Sequence, residues 1–133
     1  MNIYLAAAYK RKHELREVAK RLEAEGHVVT SSWIYEDESY DYLSGLIGSP
    51  DIGLSDMARL RAIANGDHID ILRSDAFALF TGGDRGGRHV ESGMAIADNL
   101  KLYLVGEDEN VFHYMDCWTW TRDVDDLIAK LRG

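Results

Sequence analysis

Two carboxylates, Asp67 and Glu91, stand where an acidic side chain could take part in a reaction. Glu91 follows the run Gly82-Gly83-Asp84-Arg85-Gly86-Gly87-Arg88-His89-Val90, itself preceded by the apolar stretch Ala76-Phe77-Ala78-Leu79-Phe80. A glycine-rich turn from strand to helix offers bare backbone N–H groups to a ligand and suits an anion. Glu91 is then expected in the first turn of a helix continuing through Ser92-Gly93-Met94-Ala95-Ile96-Ala97, where the helix dipole favours an ionised carboxylate. Such a group beside a phosphate-sized cradle suits a nucleophile acting on a nucleotide or sugar phosphate. Taken alone, the feature fits a first-turn glutamate without a chemical role equally well.

The elements that must hold these residues alternate between strand and helix. Ile3 to Ala8 reads as a short buried strand, and Leu15, Val18, Ala19 and Leu22 mark one face of a helix that ends at Gly26. His27 to Ile34 reads as a second strand. Tyr35 to Ser55, which holds the lone proline Pro50, is long enough to be a functional loop or lid. Ser55 is expected to cap a helix running from Asp56 to about Arg73. Asn65-Gly66 interrupts it, so that Asp67 could simply cap a second segment. Strands at 76–80 and 100–105, a fifth strand at Cys117-Trp118-Thr119-Trp120, and a last helix marked by Val124, Leu127, Ile128 and Leu131 complete the series. This alternation predicts a parallel sheet covered on both faces, with ligands at the carboxyl ends of the strands. The loops Ala7 to Lys10, Trp33 onward and Gly82 to Arg88 would meet there.

Composition narrows the class. A chain of 133 residues predicts one domain, and its net charge of −8 argues against binding polymeric nucleic acid. No apolar run is long enough to span a membrane, and the start lacks a signal peptide's basic region. The single Cys117 fits a reducing cytoplasm and reads as a small buried hydrophobe. His13, His27, His68, His89 and His113 are scattered at spacings that do not suit a metal, and no cofactor is expected. Asp70 is an alternative acid to Asp67, and Asp75 more naturally fixes the turn into the third strand.

Ile3-Tyr4-Leu5-Ala6-Ala7, then Asp67-His68-Ile69-Asp70-Ile71-Leu72 leading to Asp75, then Gly87-Arg88-His89-Val90-Glu91-Ser92-Gly93 resemble the nucleoside 2-deoxyribosyltransferase superfamily, which includes the 2'-deoxynucleoside 5'-monophosphate N-glycosidases. The motifs come in the same order over nearly the whole chain, and the 24 residues from Asp67 to Glu91 resemble the spacing of acid and nucleophile in the N-glycosidases. The resemblance implies a single-domain, Rossmann-like (flavodoxin-like) three-layer α/β sandwich over residues 1–133, with a five-stranded parallel sheet. It implies Glu91 as nucleophile, Asp67 as its catalytic partner and Tyr4 as the tyrosine orienting Glu91. Ala7, Gly82, Gly83, Gly87, Arg85 and Arg88 are expected around the sugar and phosphate, and Trp33 and Tyr35 near the base. The family's asparagine and aromatic carboxyl-terminal tail, which reach a neighbouring subunit's site, have no clear counterpart, because this chain ends in a charged helix. Asn110 or His113 is the stand-in. A homodimer or higher homo-oligomer is therefore expected, with the apolar segment Val111-Phe112-His113-Tyr114-Met115 as its motivation, although that segment could equally pack on its own sheet.

Breaking an N-glycosidic bond develops positive charge at the anomeric carbon, which an ionised carboxylate can trap as a glycosyl-enzyme. The departing base needs a proton, which a second carboxyl of raised proton affinity can supply. Three readings follow. The first is hydrolysis of a 2'-deoxynucleoside 5'-monophosphate to free base and deoxyribose 5-phosphate. The second is transfer of the deoxyribosyl group to another base. The third is a non-catalytic nucleotide-binding module, which the two carboxylates disfavour. The arginines of the glycine loop favour a phosphate-bearing substrate.

Overall fold

The computed structural model describes residues 1–36 and 38–133, with the backbone alone at Glu38. Among these residues one sheet has the strand order β2-β1-β3-β4-β5, every neighbouring pair parallel. Its strands are β1 (Asn2–Ala6), β2 (Val28–Val29), β3 (Ala76–Phe80), β4 (Lys101–Val105) and β5 (Trp118–Thr121). The α-helices are α1 (Lys12–Ala24), α2 (Glu38–Gly45), α3 (Leu54–Leu72), α4 (Gly87–Ala97) and α5 (Val124–Arg132). The central strand β3 is buried at every residue, as its unbroken apolar sequence requires when both faces are covered.

Helix α1 buries Leu15, Val18, Ala19 and Leu22. It ends in a Schellman arrangement, with Gly26 at φ 92° and the His27 N–H donating to the Leu22 carbonyl. Helices α1 and α5 share one face of the sheet and are tied by Arg21 to Asp125 (2.5 Å) and Arg132 to Glu25. Helices α3 and α4 pack together on the other face, giving the three-layer α/β architecture.

The second strand is much shorter than its sequence suggests. It pairs only Asn2 with Val28 and Ile3 with Val29, after which the Ser31 hydroxyl accepts from the Leu5 N–H (3.1 Å) and the Trp33 indole donates to the Leu5 carbonyl (2.7 Å). Side chains thus replace the ladder, leaving Ser32–Tyr35 free to form a 3-10 turn. The long connection is not featureless either, since it contains α2. Asp37, in this connection, lies outside the described residues.

Helix α3 is continuous through Asn65-Gly66 and starts at Leu54 after Gly53, not at Ser55. Gly66 faces open space, so its cost is the modest one of an exposed helical glycine. Asp67 is consequently a mid-helix residue and caps nothing. Cys117 is exposed, contrary to the buried reading, because β5 begins one residue later and the cysteine belongs to the turn before it. No helix among the described residues is long and apolar enough to cross a membrane.

Candidate active site

The strand order reverses between β1 and β3, and the loops leaving their carboxyl ends diverge there. A cleft of about 810 Å³ opens at this point. Its walls include Ala7, Ala8, Tyr9 and Lys10 after β1, Trp33, Tyr40 from α2, Asp67 from α3, and Asp84 to Arg88 with Glu91 from the turn into α4. Close approach of the first and third loops depends on Gly83. At φ 107°, a Cβ there would stand 2.5 Å from that of Ala8.

Tyr4 is fully buried in β1, stacks on Phe77 of β3 (5.7 Å between ring centroids), and donates its hydroxyl hydrogen to Glu91. Glu91 lies one full turn into α4, because Gly87-Arg88-His89 are already helical after Gly86. The dipole's influence fades beyond the first turn, so the expectation of a dipole-favoured, fully ionised carboxylate fails. Burial pushes Glu91 up to about 8 despite the opposing Tyr4 hydrogen bond, and the Asp67 charge pushes the same way. Asp67 is raised to about 7, first by burial and then by the negative charges of Asp70 and Glu36. Two carboxyls of elevated proton affinity thus face one cleft, with a tyrosine holding one of them.

Asp70, the alternative acid, is engaged elsewhere: it accepts from the Ser32 hydroxyl (2.6 Å) and N–H (3.2 Å), hooking α3 to the 3-10 turn. Asp75 accepts from the Asn2 N–H (2.8 Å) at the entry to β3.

Of the base-side residues, Trp33 reaches the cleft wall with its indole pinned to Leu5. Tyr35 points away, 56% exposed, with the Arg16 guanidinium over its ring. Tyr9, in the loop Ala7 to Lys10 expected at this edge, and Tyr40, which nothing in the sequence set apart from Tyr35, line the cleft instead, 4.3 Å apart by centroid. Lys12 fixes this pair. Its ammonium donates to the Tyr9 hydroxyl (2.7 Å) and lies 3.5 Å from Asp41 of α2.

Gly82 and Gly83 do not line the cleft, whereas Asp84, Arg85, Gly86 and Gly87 do. Arg88 is buried with its guanidinium turned to backbone carbonyls and Glu109. Asn110 and His113 do not reach the cleft. The Asn110 side chain caps a 3-10 turn by accepting from the Phe112 N–H, and buried His113 accepts from the Glu109 N–H (3.0 Å). His113 thus has one ring nitrogen engaged within its own loop. Around it, Val111, Phe112 and Tyr114 remain exposed. Among the described residues no cluster of three His, Cys, Asp or Glu is placed to hold a metal ion.

No protein-family model matches the sequence, and no curated protein matches it. Among solved structures it is similar to the CMP N-glycosidase of Clostridium botulinum, with 20% identity and a TM-score of 0.60 over 99% of this chain and 98% of that one. It is also similar to the 2-deoxyribosyltransferase of Bacillus psychrosaccharolyticus, with 18% identity and a TM-score of 0.65 over 96% of this chain and 90% of that one. The chain has the 2-deoxyribosyltransferase fold. Both likenesses run essentially end to end and concern the fold.

Proposed function

We propose that the protein belongs to the nucleoside 2-deoxyribosyltransferase superfamily and hydrolyses the N-glycosidic bond of a 2'-deoxynucleoside 5'-monophosphate. The observation that carries this reading is the Tyr4–Glu91 hydrogen bond in a cleft shared with Asp67 and rimmed by the glycine loop. Glu91 attacks the anomeric carbon as the bond to the base breaks, and Asp67 protonates the departing base. Asp67, now ionised, takes a proton from water, whose oxygen displaces Glu91 to give deoxyribose 5-phosphate. The Tyr9–Tyr40 pair offers a face for the base to stack upon. One similar enzyme is named for cleaving a nucleoside 5'-monophosphate and the other for moving a deoxyribosyl group, and the proposed substrate joins these two features. Incubation with each deoxynucleotide, its ribonucleotide and its nucleoside, followed by detection of free base, tests the assignment.

A second reading, transfer to another base, draws on the same aromatic pair, which can hold an incoming base as readily as a departing one. Adding a second free base distinguishes them: new nucleotide means transfer, and free sugar phosphate alone means hydrolysis.

Arg85 offers its guanidinium to a 5'-phosphate, since within the protein it donates only a long bond to the Ser44 carbonyl (3.4 Å) among the described residues. A deoxynucleotide should bind better than its nucleoside, with the gap narrowing in high salt. Arg85→Ala should cut the preference roughly 10-fold or more, as loss of a charge-assisted hydrogen bond does. Equal KM values for nucleotide and nucleoside in the wild type would remove the phosphate from the assignment.

The working unit is a homodimer in this reading. Helix α3 spans 19 residues yet fully buries Ile71 alone, and Leu54, Met57, Ile69 and Leu72 stand exposed at helical spacing on one side. Light scattering should give twice the chain mass, and Ile69→Asp should give a monomer. An active wild-type monomer at assay concentration would refute the dimer.

A further inference from the structure

We propose that Arg88 and Glu109 are positioning residues, a buried ion pair that holds the backbone of residues 83–87 in an anion-binding shape without itself touching the anion. This rests on the phosphate-bearing substrate proposed above.

A guanidinium has five N–H donors and no acceptor, and here every donor has a partner within the protein. Nη1 donates to the carbonyls of Asp84 (3.1 Å) and Arg85 (2.6 Å). Nη2 donates to the Gly83 carbonyl (3.0 Å) and Glu109 Oε2 (3.0 Å), and Nε reaches Glu109 Oε1 (3.4 Å). None is left for a substrate phosphate. The three carbonyls belong to consecutive trans peptide units, so drawing them toward Arg88 turns the N–H groups of Asp84, Arg85 and Gly86 the opposite way. The backbone supports the same geometry. Arg85 sits at φ 66°, an uncommon conformation for a side-chain-bearing residue, and Gly86 follows at φ −114°, ψ 0°. A left-handed residue followed by a right-handed one makes neighbouring N–H groups converge on an anion. No N–H of residues 84–87 donates to a protein acceptor among the described residues.

Glu109 supplies the counter-charge. Burial alone would raise its carboxyl, but hydrogen bonds from Arg88 and the Gly82 N–H, with the charges of Arg88 and His89, hold it below the usual range. Arg88 has a side-chain exposure of 4%, and a buried cation stripped of its partner is strongly unfavourable. Glu109 therefore keeps Arg88 in place, and Arg88 keeps the loop in place. The sequence hides this because the partners are 21 residues apart, Arg88 in the first turn of α4 and Glu109 in the loop after β4.

The sign of one substitution separates positioning from direct binding. Glu109 is an anion near the phosphate cradle, so on charge alone Glu109→Gln should strengthen phosphate binding. Under positioning it should weaken it, because the loop loses its clamp. The probe is inorganic phosphate, followed through the amide resonances of residues 84–87, which needs no turnover and so stands even if the proposed reaction is wrong. We expect wild-type protein to show saturable shifts there, and Glu109→Gln to bind at least 10-fold more weakly. With a deoxynucleotide, Glu109→Gln should raise KM while kcat and the nucleoside reaction change little. Arg88→Lys, which keeps the charge but cannot span three carbonyls, should behave alike and serves if Glu109→Gln does not fold. Tighter phosphate binding by Glu109→Gln, full phosphate binding by Arg88→Lys, or no saturable shift in the wild type would each overturn the assignment.

Discussion

Glu91→Gln should fold and lose at least about a thousandfold in turnover, because an amide cannot form the glycosyl ester that a nucleophilic carboxylate forms. The side chain keeps its shape, and its amide oxygen can still accept from Tyr4, so the cleft should survive the change. Circular dichroism checks the fold, and release of free base from a deoxynucleotide reads the loss. Near-normal turnover in a folded Glu91→Gln protein would remove Glu91 as nucleophile, whatever its contact with Tyr4.

Asp67→Asn should lose about 10²- to 10⁴-fold with an ordinary base, the usual worth of a positioned general acid. A substrate whose leaving group departs without a proton should be spared most of that loss. Equal losses for both would mean that Asp67 is not the acid. The pH dependence gives a second view. The reaction needs Glu91 ionised and Asp67 protonated, yet Glu91 is raised to about 8 and Asp67 to about 7. Their proton affinities are thus ordered against the chemistry, and the pair titrates as a unit. The wild-type profile of kcat/KM should be a narrow bell, rising as Glu91 ionises and falling as Asp67 does. In Asp67→Asn, assayed with the activated substrate, the alkaline limb should vanish. The acid limb, which reports ionisation of Glu91, should remain. Survival of both limbs unchanged would assign them to other groups.

Legibility in the sequence followed the range of the interactions concerned. The apolar stripe of α1 and the all-apolar β3 are local patterns, and both appear where their periodicity puts them. Tyr4, Asp67 and Glu91 fall on three separate elements, and the motif resemblance was what joined them before any contact could be seen. What failed to show was settled by partners distant in sequence. The second strand stops early because Ser31 and Trp33 intercept the backbone of Leu5. Arg88 reads as a phosphate ligand until Glu109 and three carbonyls are found to occupy it. Tyr40 and Tyr35 are equivalent on paper, and it is the placement of α2, with Lys12 against Asp41, that brings Tyr40 to the cleft. The helix start moved by only a few residues, but that took Glu91 out of reach of the dipole.

The elevated Glu91 carboxyl also has a consequence for folding free energy. An unfolded chain releases that proton near 4.5, whereas the folded cleft retains it to about 8. Below the lower value both states are protonated and the residue is neutral in the balance. Across the window the unfolded chain ionises freely and the folded chain does not, so stability falls as the pH rises. Above the upper value the whole burden is felt. Each tenfold change in proton affinity is worth about 1.4 kcal/mol, which makes that burden several kcal/mol in a protein of ordinary marginal stability. Positive charge developing at the anomeric carbon beside Glu91 would relieve this burden at the transition state, where stabilisation is most useful.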